Sequence, residues 1–220
     1  MNRNQRKRWG EAIKYLVWTS LITVAVLVFV SLLINNLSSE QADQEEHLPR
    51  LSESLWEHRP LVEKYAEQEG VEEHVDTILA MMMQESGGRG TDPMQSSESF
   101  CGERGCIEDV EESIEKGVAY FSSALEKADG DVKLAVQSYN FGHGFINYVQ
   151  EDQEGAYSEE AAIAFSQHMY EESGKDESIY TCLRAEAEEL EACYGDIHYV
   201  TSVMGYKEAV DEEMAEQANQ

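Results

Sequence analysis

The sequence predicts a mainly α-helical domain preceded by one transmembrane helix. Three observations carry that prediction. Apolar residues recur at helical spacing in five separate segments, no stretch alternates long enough to make a strand, and a run of 20 uncharged residues, Tyr15–Ile34, stands near the N-terminus.

Residues 1–14 form a basic tail, with Arg3, Arg6, Lys7, Arg8 and Lys14 against Glu11. Residues 15–34 are long enough to span a hydrocarbon core of about 30 Å. The basic flank precedes the run and an acidic stretch follows it, so the positive-inside rule puts the tail in the cytoplasm and the rest of the chain outside, in the cell membrane as a single-pass protein. A cleaved signal peptide is the alternative reading, but its apolar stretch is usually about 7–15 residues, and no A-x-A site follows here. Residues 35–55 are polar and aperiodic and read as an extracellular stalk. Residues 56–210 read as the folded domain, and 211–220 as a tail or frayed helix.

Within the domain, Val71–Gln84 places Val75, Ile78, Leu79 and Met82 on one face. Ser113–Lys127 carries Ile114, Val118, Phe121 and Leu125; Asp131–Tyr139 carries Val132, Ala135, Val136 and Tyr139. Ala161–Glu171 and Tyr199–Ala209 repeat the pattern, and Lys175–Gly195 reads as an acidic helical insertion. Hydrophobic residues make up 42% of the chain's 220 residues, enough to fill a core.

The formal net charge is -28. The first 14 residues contribute +4, so the remainder carries -32. Such a surface excludes nucleic-acid binding through phosphates, which needs Lys and Arg. It reads as a solvated surface suited to salty or alkaline surroundings.

The four cysteines, Cys101, Cys106, Cys182 and Cys193, all fall on the predicted outer side, where disulfides persist. Four cysteines allow three pairings. Each local pair sits within one short segment, so Cys101–Cys106 and Cys182–Cys193 are expected. Zinc is the alternative, but the spacing fits ligation poorly and no histidine is interleaved; free thiols are a further one. No metal and no cofactor is expected.

The segment 78–99, ILAMMMQESGGRGTDPMQSSES, carries the chemistry. An apolar helix runs into Gln84, Glu85 and Ser86 and stops at Gly87 and Gly88. Glutamate usually sits on a solvated helix face, but Glu85 lies in the last turn with Met81, Met82 and Met83 behind it. Lost solvation and the negative helix end both favour its protonated form. A protonated carboxyl group near neutral pH is what glycosidic cleavage requires, because the leaving oxygen must take a proton.

The runs Glu85-Ser86-Gly87-Gly88 and Asp92-Pro93-Met94-Gln95-Ser96-Ser97-Glu98-Ser99 are followed in order by Gln137-Ser138-Tyr139-Asn140-Phe141-Gly142, by Phe165-Ser166, and by Tyr199-Val200 with Val203. Together they resemble the lysozyme-like muramidase domain of Gram-positive cell-wall hydrolases, within the wider group of goose-type lysozymes and soluble lytic transglycosylases. The resemblance spans about residues 60–206. It implies a lysozyme-like fold, peptidoglycan glycan strands as substrate, and Glu85 as general acid. It implies that Ser86 helps orient the acid and that Met94 and Gln95 belong to the loop that lines the sugar cleft, plain packing being the alternative for Met94. It implies that Tyr139 and Asn140 border the cleft at the N-acetyl sugar, and that Tyr199 hydrogen-bonds near the acid.

Asp92 and Glu98 are the candidate second carboxylates. The family does not require one, because the substrate's own N-acetyl group can assist. Water attack then makes a muramidase, and attack by the sugar's own hydroxyl makes a lytic transglycosylase with an anhydro product; the DPMQSSES spelling favours hydrolysis. His143, in a loop after the Tyr-Asn motif, is a structural or a substrate-facing residue. A second, cysteine-dependent peptidase domain, frequent in relatives, is not expected here. A non-catalytic wall-binding or assembly module on the same fold is the rival reading. A membrane tether also suits a component of wall-spanning secretion or conjugation machinery.

Overall fold

A computed structural model of the chain describes residues 48–152 and 155–218. The expected transmembrane run 15–34 lies outside them, as does the stalk as far as residue 47. Among the described residues no helix is long and apolar enough to cross a membrane. The domain begins at Leu48. Leu51 and Leu55, in the stretch read as stalk, are buried in its core.

The described residues are helical, with no strand among them. Helix α1 spans Glu53–Glu69, and a 3-10 turn at Glu72–His74 leads into α2, Val75–Glu85. A short α3, Ser97–Cys101, precedes the long α4, Val110–Lys127. Then come α5, Val132–Phe141, α6, Gly144–Asp152, and α7, Glu159–Glu172. A short α8, Ala185–Glu189, and the closing α9, Tyr199–Ala218, complete the domain.

Side-chain caps start four of these helices. The Ser52 hydroxyl accepts the Leu55 N–H, the Asp109 carboxylate the Glu112 N–H, Asp131 that of Leu134, and Ser158 that of Ala161. Each satisfies one of the orphan donors of a first turn, worth about 1 kcal/mol. Gly70 ends α1 in the left-handed conformation.

Helix α2 is the centre of the domain. Thr77 and every residue from Ile78 to Met83 are buried, so it is covered all round and not only on the face marked by its periodicity. It packs chiefly against α9, while α1 packs on α4 and α4 on α5. Polar ties lock this arrangement at its edges: Lys207 of α9 reaches Asp76 of α2 at 2.6 Å, and the Trp56 indole N–H donates to Glu213 at 2.9 Å.

Between α7 and α9 the structure departs from the helical insertion read from the sequence. Only Ala185–Glu189 is helical there. Turns and the expected Cys182–Cys193 disulfide hold the rest. The other expected pair, Cys101–Cys106, closes the loop after α3.

Candidate active site

The end of α2 is built so that Glu85 cannot drift. Gly87 turns the chain with a φ of 65° and its N–H bonds back to the Met82 and Met83 carbonyls. The Gly87 carbonyl in turn accepts from the Ser52 and Ser54 hydroxyls at 2.6 and 3.1 Å. At Gly88 a Cβ would stand 3.1 Å from the Leu55 backbone nitrogen, so α1 and this turn meet backbone to backbone. Ser86 donates to the Pro93 carbonyl at 2.7 Å and accepts the Arg89 N–H, which fastens the two ends of the loop that follows.

Glu85 lines a cavity of about 440 Å³. Burial raises its pKa from 4.5 to about 7, and the negative charge of Asp92 adds to the rise. A 2.5 Å hydrogen bond from the Tyr199 hydroxyl works the other way but does not cancel it. Tyr199 is itself held far above the usual phenol range by burial and by the neighbouring Glu85 carboxyl, so it stays a neutral donor.

Asp92 behaves oppositely. Burial pushes its carboxyl up, but four donors outweigh burial and hold it below the usual range. One oxygen accepts from the Ser96 N–H at 2.9 Å and the Ser113 hydroxyl at 2.6 Å. The other accepts from the Ser97 N–H at 3.1 Å and the Ser97 hydroxyl at 2.6 Å. The Asp92 carboxylate is thus the knot that ties the 92–97 loop to α4. Glu98, exposed on α3, pairs with Arg104 at 2.9 Å.

The opposite wall comes from the end of α5. The Tyr139 hydroxyl donates to the Met94 carbonyl at 2.8 Å, bridging α5 to the loop. The Asn140 side-chain carbonyl accepts the Asp196 N–H at 2.8 Å. Asp196 is gripped from outside by both arms of Arg184, at 2.8 and 2.7 Å, while Gln137 donates to its carbonyl at 2.9 Å. At Gly195 a Cβ would stand 2.6 Å from the Asn140 side-chain oxygen and 2.7 Å from the Phe141 ring, so the chain passes Asn140 only because no side chain is there.

The structure brings Glu85, Asp92, Gln95, Glu98, Tyr139 and Asn140 to one cavity. Tyr199 lies behind Glu85, buried. Ser86 and Met94 do not line the cavity. Ser86 is spent on the loop, and the Met94 side chain is fully buried against Gly117 of α4, while its backbone carbonyl holds Tyr139 in the wall of the site. His143 stacks on Tyr120, with ring centroids 4.4 Å apart, and its Nδ1 meets Lys127 at 2.7 Å. Sequence reasoning missed Tyr120, Phe141, Tyr194 and Arg104 in the lining. Phe141 stood beside the Tyr-Asn motif and was within reach; the other three reach the cavity only through the fold. Among the described residues no group of three or more His, Cys, Asp or Glu could hold a metal ion.

A family model described as lysozyme-like matches residues 52–207. The bifunctional muramidase/DL-endopeptidase CwlT of Bacillus subtilis (strain 168) is 42% identical over 70% of this chain, and the match spans 41% of that protein's length. The uncharacterized membrane protein YocA of the same organism is 37% identical, over 74% of this chain and 72% of YocA. Among solved structures, a protein described as similar to a lipoprotein of the NLP/P60 family from Staphylococcus aureus superposes with a TM-score of 0.61 at 38% identity. That superposition covers 72% of this chain and 54% of the other.

Proposed function

The chain belongs to the lysozyme-like family, and from that premise we propose that it is a peptidoglycan hydrolase that cleaves the β-1,4 bond between N-acetylmuramic acid and N-acetylglucosamine, with Glu85 as general acid. One observation carries the reading: a carboxyl group raised to about 7 at the floor of a cleft that opens at the end of the most buried helix. The muramidase part of CwlT's name supports the same chemistry.

The proton accounting follows from the residues. Protonated Glu85 gives its proton to the glycosidic oxygen as the bond from that oxygen to C1 breaks. Positive charge then builds at C1. Asp92 is committed to four donors, so the substrate's own N-acetyl carbonyl is the group that shields C1. Water then attacks C1 and returns its proton to the Glu85 carboxylate. Tyr199 holds the Glu85 carboxyl in one orientation throughout. Asn140 and Gln95 offer amides to the N-acetyl sugar, and Tyr139 shapes the wall between them. Attack by the sugar's own hydroxyl in place of water would give the anhydro product of a lytic transglycosylase.

The uncharged run 15–34 is proposed as the anchor that keeps the domain at the outer membrane face, close to the glycan strands it cuts. The relative YocA, described as a membrane protein, supports this. Wall-spanning secretion or conjugation machinery is the cellular setting that such a tether suits.

The test of the activity is the clearing of purified peptidoglycan. Wild-type protein lowers the turbidity of the suspension. Glu85→Gln, with its helical circular-dichroism spectrum intact, is slower by about 10²- to 10⁴-fold. Undiminished clearing by that variant would overturn the assignment.

A further inference from the structure

A second cavity, of about 450 Å³, lies against the first. Arg104 lines both. Cys193 and Gly195 face the second cavity, while Tyr194 between them faces the first. Tyr180, in the second, packs edge-on against Tyr194 with ring centroids 5.0 Å apart. The two spaces are therefore separated by one guanidinium and one thickness of chain, and Gly195 backs directly onto Asn140.

This second cavity is built and braced. The Asp176 carboxylate accepts from both the N–H and the hydroxyl of Ser178, at 2.9 and 2.6 Å, and its carbonyl accepts the Ile179 and Tyr180 N–H groups. The Cys182–Cys193 disulfide ties that turn to the wall of the Glu85 cleft, and Cys101–Cys106 closes the loop that carries Arg104.

Its chemistry differs from that of the sugar cleft. Ile179 and Leu183 line it and are 60% and 64% exposed, two of the three large apolar side chains left exposed among the described residues. Arg104 is the one cation among the residues lining either cavity. Its exposed pair with Glu98 is weak enough to be exchanged for another carboxylate. Alkyl contacts beside a guanidinium whose partner can be exchanged fit a short peptide with aliphatic side chains and a carboxylate. A peptidoglycan strand carries such a peptide on each unmodified muramic acid, branching from the sugar ring that the first cavity would hold.

We propose that the cavity beside Arg104 binds the peptide stem of the glycan strand, with Ile179 and Leu183 contacting its aliphatic side chains and Arg104 its carboxylate. This rests on the reading of the first cavity as a peptidoglycan cleft. The experiment compares cleavage of glycan strands bearing intact stems with cleavage of strands stripped of stems by an amidase, using the full chain. A synthetic stem tetrapeptide with free carboxylates is titrated in parallel.

Wild type is expected to cut stem-bearing strands about tenfold faster, the worth of the aliphatic contacts made by Ile179 and Leu183. The double variant Ile179→Ser with Leu183→Ser, altered only at exposed positions outside the Glu85 cleft, is expected to lose that advantage and keep the rate on stripped strands. Arg104→Gln is expected to weaken tetrapeptide binding about tenfold. Equal wild-type rates on both strands would overturn the proposal, as would equal losses on both in the double variant. Should wild type cut neither strand, the hydrolase reading falls and the titration alone decides: tetrapeptide binding that Arg104→Gln weakens supports the peptide site, and no binding overturns it.

Discussion

Burial leaves Glu85 protonated at a pH where an exposed carboxyl has long since ionised. Activity that needs this proton falls as pH rises through about 7, by tenfold per unit above it, which a pH profile of kcat/KM on purified peptidoglycan checks. The same shift bears on stability. Between 4.5 and about 7 the folded chain keeps a proton that the unfolded chain has lost, so stability falls as pH rises across that window and is level above it. Glu85→Gln removes this cost: unfolding in urea should show the variant about 3 kcal/mol more stable than wild type at pH 8 and no more stable at pH 4. Tyr199→Phe takes away the hydrogen bond that opposes the rise, so the alkaline limb of the activity profile moves to higher pH; an unmoved limb would show that Tyr199 does not act on Glu85. The position of Glu85 was legible in the sequence because an apolar helix run ended on it. The role of Asp92 was not. Its partner Ser113 is 21 positions away, and no spacing rule announces a carboxylate that will be saturated by four donors.

The site depends on elements that hold one another at contact distance. On α4, a Cβ at Gly117 would stand 2.7 Å from the Met94 Cβ and 2.9 Å from the Ser96 hydroxyl, neither of which can yield without moving the loop. Gly117→Ala should therefore cost about 1–3 kcal/mol of stability and, by displacing the Met94 carbonyl from Tyr139, lower activity as well; thermal unfolding and clearing rates check both. Periodicity revealed α4, α5, α7 and α9 because each has a mixed surface that shows helical spacing, and it revealed α2 through Val75, Ile78, Leu79 and Met82 although that helix is covered all round. It missed α1, where Pro60 sits inside the helix and removes an N–H that the pattern assumes. There the buried residues Leu55, Val62, Tyr65 and Ala66 hold the helix through tertiary packing. Residues 175–195 failed in the other direction. Their Glu-rich composition reads as helix, but the disulfide, the Asp176 turn and the Arg184–Asp196 grip bind most of them in other conformations.

The whole chain carries a net charge of -28, and the substrate proposed for it is itself anionic. Repulsion at low ionic strength slows the approach, and salt screens it, with a Debye length of about 30 Å at 0.01 M and about 10 Å at 0.1 M. Clearing of purified walls should thus quicken as salt is added from very low ionic strength; a steady fall would contradict this view of the surface. The central claim is that Glu85 donates the proton that opens the glycan strand, and mass spectrometry of the digested polymer tests it most directly. Wild type should release fragments ending in reducing muramic acid, and Glu85→Gln none above background. Identical fragments from the variant, or strands left uncut by the wild type, would contradict it.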